Sequence, residues 1–243
     1  MNTLNTILKY AALLIVLPIV AATAADTPAA GTPRTAIPDD HNFKSRVDYQ
    51  TCWEDYLATK KGKPCDLLFI GDSITMNFRW NIGKPVWAKY YADRALDFGQ
   101  SWDTTQNTLW RLKNLDIKDF KPKAAVVLIG TNNVKDKAED IAAGVKAIAD
   151  TARSMFPGVK VILVSILPNG RAKETMDAAN AIIQTYADNQ SVFYLNLAAK
   201  FTPVGENWKG LGIDRLHPTL EGYEMWAAEL NPLLDKIAPQ PIR

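Results

Sequence analysis

The feature that most constrains the fold of this chain is a regular alternation of short apolar runs with longer amphipathic stretches. The apolar runs predict strands buried on both faces, and they lie at residues 66–70, 95–98, 124–129, 159–167 and 192–197. Apolar residues at helical spacing occupy residues 86–91, 104–115, 138–155, 173–189 and 220–234. The alternation predicts a doubly wound, parallel α/β sheet with helices on both faces. In such a sheet, ligands bind beyond the carboxyl ends of the strands.

Length and charge limit the number of domains and the class of partner. A chain of 243 residues with 47% hydrophobic content can bury one full core. The 28 basic and 26 acidic residues give a formal net charge of +2 and are spread along the chain. This distribution lacks the basic stripe that nucleic-acid binding requires, so we expect no nucleic-acid partner.

The N-terminal residues 1–24 have the pattern of a signal peptide. Lys9 is their only charge, residues 11–20 are apolar, and Ala22-Thr23-Ala24 offers small residues for cleavage. A membrane anchor is the alternative, but the apolar run is shorter than the roughly 20 residues of a spanning helix. We therefore expect a secreted or periplasmic protein whose mature chain has no stable membrane span.

Two further segments complete the predicted organisation. Residues 25–42 are rich in Pro and Ala and predict an extended linker without core residues, followed by a single domain at 43–243. The linker contains His41, which we expect at the surface. Cys52 and Cys65 would both remain after export, and an oxidising compartment favours a disulfide between them slightly over two free thiols.

Two polar motifs bring together the residue types of a serine hydrolase. Gly71-Asp72-Ser73-Ile74 directly follows the first predicted strand, and a helix starting near Ser73 would direct its amides toward the hydroxyl. Asp214 and His217 precede the last predicted helix at a spacing that lets an acid orient an imidazole. Each motif alone is also typical of turns and helix caps.

A third motif, Gly130-Thr131-Asn132-Asn133, follows the third predicted strand. A side-chain amide at this position can donate a hydrogen bond to a developing negative charge, and we expect Asn132 rather than Asn133 to do so. A turn or cap is the alternative role for an isolated Asn. The order of the three motifs on the predicted sheet favours the catalytic interpretation of all of them.

The three motifs together resemble those of the SGNH hydrolases, also called GDSL esterases and lipases, over most of the mature chain. The resemblance implies a flavodoxin-like five-stranded sheet, with Ser73 as nucleophile, His217 as base, Asp214 as orienting acid and Asn132 as oxyanion donor. Three further segments resemble the branch related to platelet-activating-factor acetylhydrolase subunits. They are Gly83-Lys84-Pro85-Val86-Trp87, Leu109-Trp110-Arg111-Leu112 and Glu221-Gly222-Tyr223.

One block departs from the family pattern. The family normally has Gly directly before an Asp-x-Thr stretch, and this chain has Trp102 there, with Gly99 three residues too early to replace it. Trp102 keeps a backbone N–H for the oxyanion hole, alongside that of Ser73, but a positive φ would strain a bulky residue. Trp102 could restrict the acyl pocket, stack on a sugar ring or simply pack in the core.

We therefore expect an exported serine esterase that hydrolyses short acyl esters, above all acetyl esters on carbohydrate, through an acyl-enzyme. The alternatives are a lysophospholipase or thioesterase of the same family, and a carbohydrate-binding scaffold impaired by Trp102. The resemblance implies no cofactor, and the acidic and histidine residues near the motifs do not form a metal-ligand set. Residues 201–212 contain one Pro and three Gly and predict a long loop that could act as a lid.

Overall fold

The computed structural model describes residues 28–41 and 47–239. After a 3-10 turn at Arg34–Ala36, helices and strands alternate along the chain. The helices are α1 (Val47–Lys60), α2 (Ser73–Trp80), α3 (Lys84–Tyr90), α4 (Thr105–Asn114), α5 (Ala138–Met155), α6 (Lys173–Gln184) and α7 (Leu220–Ile237). The strands are β1 (Leu67–Gly71), β2 (Ala95–Gly99), β3 (Ala124–Leu128), β4 (Lys160–Val164), β5 (Val192–Leu195), β6 (Pro203–Val204) and β7 (Asn207–Trp208).

The first five strands form one parallel sheet in the order β2-β1-β3-β4-β5. Gly71 at the end of β1 lies between Gly99 of β2 and Leu128 of β3. The strand order reverses at β1, so a crevice opens where the loops after β1 and β3 diverge. The order and the helices on both faces confirm the predicted flavodoxin-like α/β fold.

Alternate residues of each strand pack into two apolar clusters on opposite faces of the sheet. Leu68 and Ile70 of β1 face the helices α4, α5 and α6, whereas Leu67 and Phe69 face α2, α3 and α7. The strands are thus buried on both faces, as their continuous apolar sequences predicted. None of the helices in the described ranges is long and apolar enough to cross a membrane.

The N-terminal segment differs from the predicted linker. The folded unit begins at Gly31, and Thr35 is fully buried. The Thr35 hydroxyl donates a hydrogen bond to the Asp140 carbonyl, and the Thr35 carbonyl accepts one from the Thr105 hydroxyl at 2.9 Å. The predicted domain start at 43 is therefore wrong, because polar contacts rather than apolar side chains attach this segment. The predicted signal peptide lies outside the described residues, while His41 is exposed as expected.

Cys65 is a free, buried thiol that lies 3.5 Å from the Leu67 carbonyl oxygen. Burial raises its pKa to about 12, so it packs as a small apolar group. The structure therefore does not contain the expected bridge at Cys65, and the Cys52 side chain lies outside the described part of the chain.

The segment at 201–212 also differs from a simple loop. Pro203–Val204 and Asn207–Trp208 pair as a small antiparallel hairpin, and Gly205 at φ 59 makes the turn. Strand β4 ends at Val164 rather than at 167, and residues 165–172 form a loop at the carboxyl edge of the sheet. Both segments line a cavity at that edge.

Candidate active site

Ser73 is the first residue of α2, at the carboxyl edge of the sheet. Asp72 caps this helix by accepting a hydrogen bond from the Ile74 N–H at 2.9 Å. The first N–H groups of a helix have no intrahelical acceptor, so the Ser73 N–H remains available to a ligand. The half-buried Ser73 side chain and its own amide are therefore presented together.

The loop before α7 places His217 and Asp214 against Ser73. The Ser73 Oγ lies 2.9 Å from His217 Nε2, and His217 Nδ1 lies 2.6 Å from Asp214 Oδ2. A proton on Nδ1 satisfies the carboxylate and leaves Nε2 to accept the hydroxyl proton. The structure thus brings the three residues into the continuous hydrogen-bonded chain that a serine nucleophile requires.

Backbone and side-chain hydrogen bonds hold this loop in place. The Gly212 N–H donates to the His217 carbonyl at 2.8 Å, and the Thr219 hydroxyl accepts from the Gly222 N–H at the start of α7. The buried Tyr223 hydroxyl donates to the Ile74 carbonyl at 2.8 Å and so connects α7 to α2. The helix that follows the His217 loop and the helix that begins at Ser73 are therefore fixed to each other.

The charge state of Asp214 suits an orienting acid. Partial burial acts to raise its pKa, but hydrogen bonds from the His217 ring and from the backbone N–H groups of His217 and Leu216 outweigh that effect. The pKa of Asp214 therefore lies below its ordinary value. An ionised carboxylate at neutral pH can stabilise an imidazolium on His217.

The two asparagines after β3 have different environments. Asn133 is buried, and its side chain accepts from the Thr105 N–H and donates to Gln106 and Asp136. Asn132 is partly exposed, and its Nδ2 donates one hydrogen bond, to the Asp103 carbonyl at 3.0 Å. Since an amide carries two N–H donors, Asn132 keeps one for a ligand. The geometry therefore favours Asn132 over Asn133 as the oxyanion donor.

Trp102 lies in the left-handed region at φ 67 and is 57% exposed. The exposure argues against simple core packing, and the backbone adopts the conformation that Gly normally takes. Among the described residues, no acceptor pairs with the Trp102 N–H. Gly99 cannot replace this donor, because its own N–H donates to Asp97 Oδ1 at 2.8 Å. Trp102 thus keeps the donor, with backbone strain of about 1–3 kcal/mol.

A buried ion pair beneath this loop was not predicted from the sequence. Arg111 and Asp103 are both fully buried, and Arg111 also donates to the Phe98 carbonyl at 3.0 Å. The pair connects the end of β2 to the residue that follows Trp102. The only sequence signal was a charged residue among the apolar positions of α4, next to Leu112.

Asp72 is a second buried acid beside the nucleophile. Burial raises its pKa to about 7, nearby Asp103 adds to the shift, and the hydrogen bond from Ile74 N–H opposes it. Its Oδ2 has no hydrogen-bond partner within the described residues. Asp72 therefore titrates near neutral pH although it lies outside the Ser73–His217–Asp214 chain.

A cavity of about 620 Å³ lies between the loop after β4 and the β6-β7 hairpin, and Arg171 of its lining contacts Asn132. Arg171, Lys173 and Arg215 contribute cations to its lining, and sequence analysis identified none of them. Arg215 is far from the other two residues in the sequence, so no local pattern predicts that the three cations lie together. Among residues 28–41 and 47–239, no group of three or more His, Cys, Asp or Glu side chains could hold a metal ion.

Comparison with known proteins identifies relatives of this chain. It is 37% identical over 127 residues to the platelet-activating factor acetylhydrolase IB subunit alpha2 of Homo sapiens, an alignment covering 52% of this chain and 54% of the relative. The chain thus spans about half the length of the curated relatives it matches.

Solved structures share the fold at lower identity. A carbohydrate acetylesterase family member from Sinorhizobium meliloti has a TM-score of 0.58 at 14% identity, covering 72% of this chain and 99% of that protein. A lipolytic G-D-S-L family member from Veillonella parvula also has a TM-score of 0.58 at 14% identity, covering 70% and 98%. The profile of the GDSL-like Lipase/Acylhydrolase family matches residues 69–225, so the chain belongs to this family of SGNH hydrolases.

Proposed function

We propose that this protein is a serine esterase that hydrolyses short acyl esters, acetyl esters of carbohydrates above all, through an acyl-enzyme. The observation that carries the proposal is the hydrogen-bonded chain from Ser73 Oγ through His217 to Asp214, with separations of 2.9 and 2.6 Å. These three hydrogen-bonded residues lie at the carboxyl edge of the parallel sheet, where α/β proteins bind ligands.

In the acylation step, Ser73 Oγ attacks the ester carbonyl carbon and its proton passes to His217 Nε2. The carbonyl oxygen becomes an oxyanion, for which the Ser73 and Trp102 N–H groups and Asn132 Nδ2 are the proposed donors. Collapse of this intermediate breaks the ester C–O bond, and His217 returns the proton to the departing alkoxide. The products are an alcohol and an acyl ester on Ser73.

Deacylation repeats the sequence with water. The water oxygen attacks the acyl carbon while His217 Nε2 takes a proton from the water. His217 then gives this proton to Ser73 Oγ as the bond between Oγ and the acyl carbon breaks. Asp214 remains ionised and stabilises the imidazolium in both steps. The free acid and the regenerated serine complete the reaction.

Two observations support a short acyl group and a sugar alcohol. The exposed Trp102 ring belongs to the loop after β2, which begins where the Gln100 N–H donates to the Gly71 carbonyl, and there it can limit the acyl chain or stack on a sugar. The acetyl group in the name of the Homo sapiens relative and the carbohydrate acetylesterase fold neighbour agree with this substrate class. We also propose export to a secreted or periplasmic location, on the strength of residues 1–24.

A long-chain lipid ester, the substrate of a lysophospholipase of the same family, is the second candidate, and the curated relatives are named for a lipid, platelet-activating factor. Acyl chain length separates the candidates. We would measure hydrolysis of p-nitrophenyl acetate, butyrate and octanoate by the protein and by its Ser73→Ala variant. Ser154→Ala, an exposed serine of α5, is the matched control.

We expect turnover of acetate that Ser73→Ala loses and Ser154→Ala keeps. Preference for octanoate would instead favour the lipid ester. No turnover that depends on Ser73, together with no labelling by a fluorophosphonate probe, would contradict the esterase and favour a carbohydrate-binding scaffold.

A further inference from the structure

Two arginine residues line the 620 Å³ cavity: Arg171, which contacts Asn132, and Arg215, which follows Asp214 in the sequence. Arg171 follows β4 in the loop that precedes α6, and Arg215 lies between Asp214 and His217. Their positions in two different loops mean that the tertiary fold, rather than a local motif, brings the charges to one cavity.

Arg171 lies beside the proposed oxyanion hole. Its Nη1 is 3.4 Å from Asn132 Oδ1, and its guanidinium carbon is 5.9 Å from the centre of the Trp102 ring. The side chain is exposed and forms no ion pair with a carboxylate in the described part of the chain. Its charge is therefore available to a ligand that enters the cavity.

Arg215 packs against Gly170, in the loop that also carries Arg171. Its backbone lies at φ 56, its carbonyl accepts from the Gly170 N–H at 3.0 Å, and its guanidinium carbon is 5.6 Å from the Trp208 ring. The Nε atom is buried and has no acceptor among the described residues. Residues with a strained backbone of this kind are enriched at functional sites, and they persist only where the surrounding structure holds them.

Arg171 also acts electrostatically on the buried Asp72, and the remaining acidic residues near the cavity compensate the two guanidinium charges only in part. Glu206 lies 3.9 Å from Arg215 and is 95% exposed, so solvent screens the pair strongly. Glu174 is exposed and lines the same cavity. The third cation, Lys173, pairs with Asp177 on its own helix and so contributes little.

We propose that Arg171 and Arg215 form an anion-recognition subsite, and that the physiological ester carries a carboxylate or phosphate group on its alcohol portion. The proposal rests on the esterase function proposed above. His217 must reach the leaving oxygen, so residues on its loop face the alcohol side of the ester. Arginine suits this role because its planar donors match carboxylate and phosphate oxygens.

The test compares two aryl acetates, the anionic 4-acetoxybenzoate and its neutral methyl ester, methyl 4-acetoxybenzoate. The measurement is phenol release, given as kcat/KM for the anionic ester divided by kcat/KM for the neutral ester. Using this ratio within each variant cancels general losses of activity. The variants are Arg171→Gln, Arg215→Gln, the charge-preserving Arg215→Lys, and the control Arg153→Gln, an exposed arginine of α5.

We expect the ratio to fall about tenfold in Arg171→Gln and in Arg215→Gln, to be largely retained in Arg215→Lys, and to be unchanged in Arg153→Gln. We also expect the ratio to fall as salt is raised, since partly exposed charges are screened. A third substrate, 4-acetoxyphenyl phosphate, distinguishes the two anions. If its kcat/KM relative to the neutral ester is higher than that of 4-acetoxybenzoate, the subsite favours a phosphate over a carboxylate.

Neutral-ester turnover that depends on Ser73, with a ratio unaffected by both glutamine variants, would overturn the subsite and leave the esterase standing. Absence of turnover with all three esters would overturn the esterase and the subsite together. The unfolding midpoint of each variant shows whether that variant is still folded, so that a changed ratio can be assigned to the subsite.

Discussion

The Arg111 guanidinium and the Asp103 carboxylate form a fully buried ion pair, with Nε 2.7 Å from Oδ2, beneath the loop that carries Trp102. Thr108 also donates to this carboxylate, at 3.1 Å, and Asp103 in turn supplies the carbonyl that accepts from Asn132. One charge pair in the interior thus supports the backbone on which two of the proposed oxyanion donors depend.

Replacing Arg111 with Met should destabilise the protein by about 3–5 kcal/mol, because it leaves the Asp103 charge buried without its partner. Urea unfolding measures the change. The double variant Arg111→Met with Asp103→Asn should recover part of the loss, since it removes the charge as well. Equal stability of the single and double variants would contradict this account.

The dependence on Asp214 tests the arrangement of the catalytic residues. Asp214→Asn should keep the fold but lower kcat by about 10²–10⁴, because an amide does not hold Nδ1 protonated or stabilise the imidazolium. Hydrolysis of p-nitrophenyl acetate measures this loss. Asp119→Asn, which changes an exposed acid after α4, should retain full activity. A small effect of Asp214→Asn would contradict the proposed role.

The positive φ of Trp102 predicts an unusual order of stability between two variants. Trp102→Gly should be more stable than Trp102→Ala by about 1 kcal/mol, because Ala keeps the left-handed strain and Gly removes it. At Ser154, inside α5, the order should reverse, with Ala more stable than Gly. Thermal unfolding of the four variants measures both differences, and the same order at both positions would count against strain at Trp102.

The buried Asp72 should make stability depend on pH. Its pKa is about 7 in the folded protein, against the ordinary 3.8, so the folded state binds the proton more tightly than the unfolded state. Its contribution to the free energy of unfolding is present below about pH 4 and is lost as pH rises to about 7.

Removing this group should therefore stabilise the protein increasingly as pH rises. Relative to the unchanged chain, Asp72→Asn should gain up to about 1.4 kcal/mol per pH unit between roughly pH 4 and 7. Urea unfolding at pH 5 and pH 8 measures the gain, and Asp119→Asn is again the control. A gain that does not change with pH would show that Asp72 is not the titrating group.

The segment around Thr35 should be required for full stability. A chain starting at residue 43 loses the hydrogen bonds of Thr35 with Asp140 and Thr105 and that of the Asn107 side chain to Asp39. At about 0.5–1.5 kcal/mol for each of these three bonds, the loss is about 1.5–4.5 kcal/mol. Urea unfolding against a chain starting at Gly31 measures it, and equal stability would restore the linker interpretation.

The sequence by itself determined the layout of the sheet. The continuous apolar runs of β1 and β3 could only be strands buried on both faces, and the helical spacing between them required parallel connections. It also determined the positions of Ser73, Asn132, Asp214 and His217 relative to those strands. These predictions rest on local periodicity and on the order of motifs, which one chain displays directly.

Only the tertiary structure decided features that depend on distant residues meeting. The burial of Thr35, the pairing of Arg111 with Asp103, and the meeting of Arg171 with Arg215 at one cavity have no local signature. The conformation of Trp102 belongs to the same group, because the turn at residues 100–103 that holds its φ is attached to the core through the buried Arg111–Asp103 pair. Long-range contacts fix burial and charge pairing, whereas sequence periodicity reports mainly which face of a helix or strand is apolar.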